Sequence, residues 1–357
     1  MRAKYSPYSP LYLLSLGLLG MVVQSCTEND QTAFAVQPST SDESAESSNE
    51  ISYGRFPGQY LLAFFSCDGS ICMQPNAFNH QIWLAYSDDG IEWSLPDPQE
   101  VFEGSVPDLL RRKDTLYVYG ARGKMRRYHF DSDEWEDLVE HKQVVADGEQ
   151  SIRWNDFSPV LGEDGLIHLF FLASSVASGD PAECPATSTE TCTQRFASAI
   201  EVEGSDGAEF TVYPEWNLEI ELQPGERASD PDVFQLRDGR WAMYITWREG
   251  TAMFVSDTLH GTYTPMEGLG MPPYIASPYF GLGVGYYHAQ TDMYWTFVNT
   301  PTSRDDGDGI NISIQRAEHV DFTELIDSEL QTVLQQGSSG IPENYWTASP
   351  GFALNTP

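Results

Sequence analysis

The chain has 357 residues, of which 53 are acidic and 19 are basic, and its formal net charge at pH 7 is −34. Because phosphate backbones and anionic lipid headgroups attract basic surfaces, this charge argues against nucleic acid as a partner and against docking on anionic headgroups. Aromatic residues make up 13% of the chain, which predicts an aromatic core together with a few aromatic platforms for sugars.

The N-terminal segment has the pattern of an export signal. Two basic residues precede an apolar run over residues 11–23, which is too short to span a bilayer comfortably and is typical of a signal peptide. The run ends in Val23-Gln24-Ser25-Cys26. This motif resembles a bacterial lipobox, in which the cysteine is lipidated and becomes the mature N-terminus. We predict a signal peptide over residues 1–25 and a lipid anchor on Cys26, with simple secretion as the alternative.

Residues 26–52 are predicted to form a flexible tether. The segment is rich in Ser, Thr, Glu, Asp and Gln and poor in large apolar side chains, so it cannot bury enough surface to offset the entropy of ordering. We expect a folded domain over residues 53–357, held at the bacterial cell envelope on its periplasmic or outer surface. Contact with the membrane would be made through the lipid alone.

The remaining cysteines fit an oxidising compartment. Cys67 and Cys72 are five residues apart, and Cys184 and Cys192 are eight apart, which predicts two local disulfides. A zinc site is the alternative. Neither pair has Cys-x-x-Cys spacing or a histidine close by in the sequence, and this favours the disulfides.

A strand–turn–strand unit recurs along the rest of the chain. In its clearest copy, Ala228–Phe234 leads through the turn Asp238-Gly239 into the strand Trp241–Ile245. Asp-Gly is a strong hairpin turn because glycine adopts positive φ without steric cost. Copies of the unit contain Pro107, Pro159, Pro231, Pro278 and Pro350, at steps of 52, 72, 47 and 72 residues. Blade-like repeats of roughly 40–50 residues with several strands each are typical of β-propellers, and the longer steps indicate insertions.

The two ends of the repeat are complementary. Gln59–Phe65 is predicted to be a second strand without a first, and Thr347–Leu354 a first strand without a second. Pairing the last strand with the first blade would hide two sheet edges. The sequence therefore predicts an all-β, five-bladed β-propeller closed by the C-terminal strand, with a β-sandwich as the alternative. A short helix is expected around Phe322–Leu334.

Carboxylates stand repeatedly where the inner strands begin. Because these strands converge at the axis of a propeller, we expect the acids to share one funnel. Arginine and aromatic neighbours there would suit carbohydrate. The acids are Asp108, Asp156, Asp230 and Asp232, and the other expected substrate-binding residues are Arg153, Trp154, Arg227, Tyr279 and Trp346.

These features resemble a known superfamily. The chain resembles the superfamily of five-bladed arabinanases, β-xylosidases, invertases and levansucrases in two features. Its inner strands open with Asp-Pro or Ser-Pro, and it contains the run Ser229-Asp230-Pro231-Asp232-Val233-Phe234. The resemblance covers roughly residues 53–357. Asp230 would match the aspartate of the invertase Arg-Asp-Pro motif, which holds sugar hydroxyls and steadies the transition state, with Ser229 in place of the arginine. The resemblance implies a glycoside hydrolase that acts on or binds glycans.

The chain departs from this superfamily at two catalytic positions. The families carry a base or nucleophile aspartate on the first inner strand, where Ala348-Ser349-Pro350 offers no acid. Glu183-Cys184-Pro185 has the letters of their acid motif, but it falls in the cysteine loop, and we interpret it as coincidence. Hydrolysis needs one acid and one base or nucleophile, so Asp156 and Asp230 are the best remaining pair, with Asp108 orienting them. The alternative for each aspartate is a turn cap.

Two other motifs point to sialidases. Ser87–Trp93 resembles their Asp-box turn but is one residue short, and we expect it to be scaffold. Arg55-Phe56-Pro57 resembles the arginine motif that grips the substrate carboxylate there. A sialidase is therefore the third hypothesis, after a glycoside hydrolase and a catalytically silent propeller that binds glycan or protein.

The acidic loop Arg304–Gly309 could wrap calcium through carboxylate oxygens, although it lacks the full EF-hand pattern and a solvated hairpin tip is the favoured interpretation. We predict no other cofactor and no catalytic metal. We also expect a monomer whose partner is a carbohydrate substrate or ligand.

Overall fold

The computed structural model describes residues 53–70, 72, 79–97, 99, 102–145, 151–174, 183–248, 250–277, 280–303 and 310–356. The predictions for the signal peptide, Cys26 and the tether lie outside these residues, as do those for Tyr279 and the loop 304–309. No helix in the described part of the chain is long and apolar enough to cross a membrane.

The described residues form β-strands and turns, with short 3-10 turns at Ala121–Gly123 and Ile326–Glu329. The helix expected around Phe322–Leu334 is therefore wrong. Its last four residues, Gln331–Leu334, form a strand that pairs with the sheet, and one 3-10 turn, Ile326–Glu329, precedes that strand.

Blades one to three follow one another along the chain. Blade one contains β1 (Tyr60–Asp68), β2 (Gln81–Ser87) and β3 (Phe102–Glu103). Blade two contains β4 (Asp108–Arg112), β5 (Thr115–Gly120), β6 (Lys124–His129), β7 (Glu134–Trp135) and β8 (Val139–Glu140). Blade three contains β9 (Lys142–Gln143), β10 (Arg153–Leu161), β11 (Ile167–Ser174), β12 (Cys192–Glu201), β13 (Glu209–Val212) and β14 (Leu218–Leu222).

Blades four and five complete the circle. Blade four contains β15 (Ala228–Gln235), β16 (Trp241–Trp247), β17 (Gly250–Ser256), β18 (Thr264–Pro265) and β19 (Tyr274–Ala276). Blade five contains β20 (Val284–His288), β21 (Met293–Ser303), β22 (Ile310–His319) and β23 (Gln331–Leu334). The strand pairs are antiparallel except for β9 with β13.

The last strand, β24 (Tyr345–Leu354), pairs with β1 and becomes the inner strand of blade one. The inner strands β24, β4, β10, β15 and β20 contact one another in that order, and β20 contacts β24 again. The predicted five-bladed propeller and its closure by the C-terminal strand are therefore confirmed.

The core lies between the blades. Alternate residues of β1 face opposite neighbours: Leu61 and Ala63 pack on blade two, whereas Tyr60, Leu62 and Phe64 pack on blade five. Because both faces of the strand are buried, its sequence is a continuous apolar run instead of an alternation of polar and apolar residues. The three remaining blade boundaries are filled in the same way, so each blade is stabilised by both of its neighbours.

The entry to blade five differs from the prediction. Ala276 ends β19, which pairs with β17 of blade four, so the inner strand of blade five begins at Val284 instead. Ser277, the first residue of the pair that suggested an inner strand, therefore follows the last strand of blade four, and Pro278 lies outside the described residues.

Candidate functional site

Each inner strand has one residue with positive φ, either two residues before the strand or at an irregularity of register within it, and we call this the corner residue. These residues are Val106 (48°), Asp156 (51°), Asp230 (53°), Leu282 (53°) and Ser349 (55°). L-residues rarely adopt this conformation, and each such residue costs on the order of 1–3 kcal/mol unless its surroundings impose it. A strained backbone conformation that recurs at five positions around one axis indicates a candidate functional site there.

The corner residues line a small cavity at the axis, which we call the axial cavity. Asp156 and Asp230 contribute to its wall, together with Asp108 and Asp232. Its volume is about 20 Å³, measured as the space open to the centre of a water molecule. A single water needs roughly 10–15 Å³ by this measure, so the axial cavity is too small for a sugar ring.

Asp108 and Asp232 lie two residues beyond their corners and serve the backbone. Asp232 Oδ2 accepts a hydrogen bond from Gly285 N–H of the next blade at 2.8 Å. Asp108 Oδ1 accepts from Leu109 N–H at 2.8 Å, and the same carboxyl takes further hydrogen bonds from Phe352 N–H and the Ser158 hydroxyl. These contacts favour the turn-capping interpretation for both residues.

The two buried carboxyls also interact with each other. Burial raises the pKa of Asp108 well above its usual range, and the nearby charge of Asp232 raises it further. Burial raises the pKa of Asp232 as well, although its hydrogen bond from Gly285 opposes the shift. The like charge of its neighbour therefore adds to the effect of burial at Asp108, whereas burial raises the pKa of Asp232.

Asp156 and Asp230, the predicted catalytic pair, are both corner residues and line the same axial cavity. Asn155 Nδ2 donates to Asp156 Oδ1 at 2.7 Å, and the Ser229 hydroxyl donates to Asp230 Oδ2. The corresponding corner of blade one is Ser349, so the closing strand brings no carboxylate to that position.

A second and larger cavity, which we call the side cavity, has a volume of about 550 Å³ by the same measure. Its described lining consists of Arg122, Ser151, Ile152, Arg153, Trp154, Asn155 and Leu172. Asn155 belongs to its wall and is bonded to Asp156 of the axial cavity. The side cavity falls within the roughly 300–1,000 Å³ typical of ligand pockets.

Among the predicted substrate-binding residues, Arg153 and Trp154 line the side cavity. The half-buried indole of Trp154 is braced by the rings of Phe157 and Phe171, at centroid distances of 5.3 and 5.4 Å. Arg122, which the sequence analysis missed, is brought to the same cavity by the 3-10 turn after β5. Nothing in its local sequence distinguishes it from other surface arginines.

Arg153, Arg227 and Trp346 each stand three residues before a corner. Arg227 forms a backbone bridge with Glu183. The cysteine loop that contains Glu183 therefore folds back onto the entry of blade four. Trp346 packs against Gly69, where an added Cβ would lie 2.7 Å from the indole Nε1. Neither Arg227 nor Trp346 is part of the described lining of the two cavities.

The sialidase-like motifs have structural contacts. Arg55 Nε pairs with Asp133 Oδ1 at 3.0 Å on blade two, away from the described lining of the two cavities. In the Asp-box-like turn, Asp89 Oδ1 accepts hydrogen bonds from the Ile91 and Glu92 N–H groups, and Trp93 is buried between blades. These contacts hold the turn within the fold.

The predicted disulfides are present, and Cα–Cα is 5.5 Å for both Cys67–Cys72 and Cys184–Cys192. The chain brings His80 to the first pair, with ligand atoms within 4.8 Å of one another, a proximity that the sequence spacing did not suggest. Within the described residues this is the one group of three metal-ligating side chains. Its cysteines are bonded to each other, so they do not offer thiolate ligands.

Comparison with known proteins gives similarity of structure alone. No protein-family model matches the chain, and no curated protein sequence matches it. A protein of unknown function from Dyadobacter fermentans has a similar structure, at 11% identity and a TM-score of 0.47 over 82% of this chain and 85% of the other.

Glycoside hydrolases are also among the similar structures. An endo-arabinase from Bacteroides thetaiotaomicron is 13% identical over 66% of this chain and 84% of its own, with a TM-score of 0.45. Fructan 1-exohydrolase IIa from Cichorium intybus, in complex with 1-kestose, is 12% identical over 73% of this chain and 54% of its own, with a TM-score of 0.47. The five-bladed architecture itself rests on the strand order of this chain.

Proposed function

We propose that this protein binds glycans in the side cavity. The observation that carries the proposal is the combination of a cavity of about 550 Å³ with the indole of Trp154, the amide of Asn155 and the guanidinium of Arg153 in its wall. An aromatic face packs against the C–H groups of a sugar, and amide and guanidinium groups hydrogen-bond its hydroxyls.

A binding screen with a blocking variant tests this proposal. The panel would contain arabino-, xylo-, fructo- and galacturono-oligosaccharides, with affinity measured by titration calorimetry. Ser151 is an exposed residue of the cavity wall, so Ser151→Trp is expected to fill the space and weaken binding at least tenfold. Ser132→Trp, in an exposed turn of blade two, is the control. Equal binding by all three proteins would refute the proposal.

Glycoside hydrolysis is the second candidate function. It is supported by Asp156 and Asp230, two carboxylates on strained corners that line one axial cavity. A sugar would lie above that cavity, with one aspartate protonating the leaving oxygen and the other acting as base or nucleophile.

Hydrolysis is tested with aryl glycosides and with the same oligosaccharides. Asp156→Asn and Asp230→Asn should each remove turnover, whereas Asp238→Asn in the exposed hairpin of blade four should retain it. If the wild-type protein binds glycan and hydrolyses none of these substrates, the hydrolase candidate fails and the binding proposal stands.

We also propose that the protein is a lipoprotein of the bacterial cell envelope. Support comes from the basic leading end, the apolar run and the lipobox-like motif before Cys26. Labelling with a fatty acid analogue is expected to mark the wild-type protein and to miss Cys26→Ser. Equal labelling of the two proteins would contradict the anchor.

A further inference from the structure

Two histidines from different blades meet at the boundary between blades three and four. His168 lies on β11 of blade three, and His260 lies in the turn that follows β17 of blade four. His260 Nε2 is 2.6 Å from His168 Nδ1. The hydrogen-bond chain continues on one side to Asp164, whose Oδ1 is 3.1 Å from His168 Nε2. On the other side it ends at the Ser198 hydroxyl, 2.8 Å from His260 Nδ1. We call these four residues the histidine clasp.

Packing holds the clasp in one geometry. The His260 ring stacks against Tyr213 and Phe170, at centroid distances of 3.9 and 5.8 Å. The turn that carries it is tied to blade three, because Tyr263 N–H donates to the Asn217 carbonyl at 2.7 Å. The His260 ring therefore cannot turn away from its partners without losing these contacts.

The carboxylate of Asp164 fixes the direction of the hydrogen bonds. Burial opposes its ionisation, but hydrogen bonds from His168 and from Leu166 N–H lower the pKa of Asp164 below its usual range. An ionised carboxylate only accepts hydrogen bonds, so His168 Nε2 carries a proton, and in the neutral ring Nδ1 is then an acceptor. His260 Nε2 must donate to it, and His260 Nδ1 accepts from the Ser198 hydroxyl.

This chain has room for one added proton. When His168 gains it, both of its ring nitrogens donate, and His260 changes tautomer so that Nε2 accepts and Nδ1 donates to Ser198. A second proton would leave two N–H groups facing each other across 2.6 Å. We propose that the histidine clasp is a pH-sensitive device, which holds blades three and four together with no more than one added proton and opens their boundary when it takes up a second. The proposal is independent of glycan binding.

The surrounding charges act in the same direction. Burial is the main cause that lowers the pKa of His260 to about 4, the charge of His168 lowers it further, and Asp164 opposes the shift. Tyr213 and Tyr263 also pack at this boundary and are neutral in acid, and the exposed acids beside it are Glu163 and Asp257. The stability that His260 contributes is present above its ordinary pKa of about 6.5 and is lost as pH falls towards 4. Acid therefore weakens the boundary between the two blades that carry Asp156 and Asp230.

A double-mutant cycle of His168→Gln and His260→Gln, measured by urea unfolding at pH 7.5, 5.5 and 4, tests the proposal. The contributions of other titrating groups cancel in the coupling between the two sites. The pair is expected to favour the folded state about two- to tenfold at pH 7.5 and at least as strongly at pH 5.5, where its hydrogen bond carries a charge. The coupling should disappear at pH 4.

The control cycle combines His168→Gln with Ser132→Ala, in an exposed turn of blade two, and should be additive within about twofold at each pH. Coupling between the two histidines that is absent at pH 7.5, already lost at pH 5.5, or the same at pH 7.5 and pH 4 would overturn the proposal.

Imidazole nitrogen shifts of the isotopically labelled wild-type protein give a measurement that needs no variant. At pH 7.5 we expect His168 and His260 both to carry their proton on Nε2. On acidification the pair should protonate in two steps more than about one pH unit apart. Two independent titrations near the ordinary histidine value of about 6.5 would refute the clasp.

Discussion

At the scale of single residues, Asp108 and Asp232 show why an acidic corner is ambiguous in a sequence. Both were expected in a sugar-facing funnel, yet both are buried and accept hydrogen bonds from backbone N–H groups. Asp156 and Asp230 stand two positions earlier in the repeat, at the corners themselves. The side chains of Asn155 and Ser229 donate hydrogen bonds to them. The two pairs of aspartates therefore differ in their position relative to the corner residue. The prolines that align the repeat stand at different distances from the corners, so they do not reveal this position in the sequence.

Asp232 provides a prediction about pH. Because its pKa is raised in the folded protein, its contribution to stability is present at low pH and is lost as pH rises above the ordinary carboxyl range. Asp232→Asn keeps an oxygen for Gly285 N–H without ionising, so it should melt above the wild type at pH 8 and close to it at pH 4.

Two further variants control this measurement. Asp232→Ala leaves the Gly285 N–H group without its acceptor and should lose about 1–3 kcal/mol relative to Asp232→Asn. Asp238→Asn changes an exposed acid and should not flatten the dependence of melting temperature on pH. A lower melting temperature for Asp232→Asn than for the wild type at pH 8 would contradict the raised pKa of Asp232, and equal stability of Asp232→Ala and Asp232→Asn would contradict the capping role.

His141 provides a second prediction, with the opposite sign. It packs among Tyr119, Trp154 and Phe157, and burial lowers its pKa to about 3. Its contribution to stability is present above its ordinary pKa of about 6.5 and is lost as pH falls from there towards 3. From these values we expect a loss of about 2 kcal/mol on going from pH 7 to pH 5.

Replacing this side chain by a non-titrating ring tests the effect. His141→Phe should reduce the loss of stability between pH 7 and pH 5, measured by urea unfolding. Identical pH dependence in His141→Phe and the wild type would show that this histidine is not held neutral.

At the scale of elements, the closing strand depends on one glycine. Gly351 of β24 packs against the entry of blade two, where an added Cβ would lie 2.6 Å from Asp108 Cα and from Pro107 O. These are backbone neighbours, so they cannot rotate away. The side chain of Asp108 occupies the space beside Gly351 and reaches the Phe352 N–H group. A side chain at this position would therefore push β24 away from the entry of blade two.

Gly351→Ala is accordingly expected to destabilise the protein by about 1–3 kcal/mol or more, the usual cost of overpacking. The matched control is Gly270→Ala, since no heavy atom lies within 4 Å of an added Cβ there, and its change should stay within about 0.5 kcal/mol. Equal unfolding free energies for the two variants would argue against tight closure by β24.

At the scale of the whole molecule, the sequence was sufficient to predict the blade count and the closure. Both predictions came from the apolar run Tyr60–Phe65 and from the C-terminal unit that has one strand only. A strand buried on two faces has a continuous apolar sequence, and an inner strand without a following partner is recognisable as an incomplete repeat. The entry of blade five was missed. Its corner residue is Leu282, which has no proline near it as the other copies do. The sequence Ser277-Pro278 matched the repeat instead and led to a wrong position for the corner.

The candidate site was less accessible to sequence reasoning. Arg153, Trp154 and Asp156 were selected because they adjoin a predicted corner. The backbone N–H of Arg122 donates to the side-chain oxygen of Asn155, 33 positions further along the chain, and no local pattern encodes such a contact. The side cavity likewise arises between two blades, so its volume depends on packing between elements that are separated in the chain.

The central claim, that a glycan occupies the side cavity, is tested most directly by amide hydrogen exchange. Exchange would be measured with and without the oligosaccharide of the calorimetric panel that binds most tightly. We predict slower exchange for the amides of residues 121–123 and 151–155, which border the cavity, and unchanged exchange in the rim turn Ser87–Trp93. Protection confined to that rim turn or to other blades, with residues 151–155 unaffected, would contradict the account.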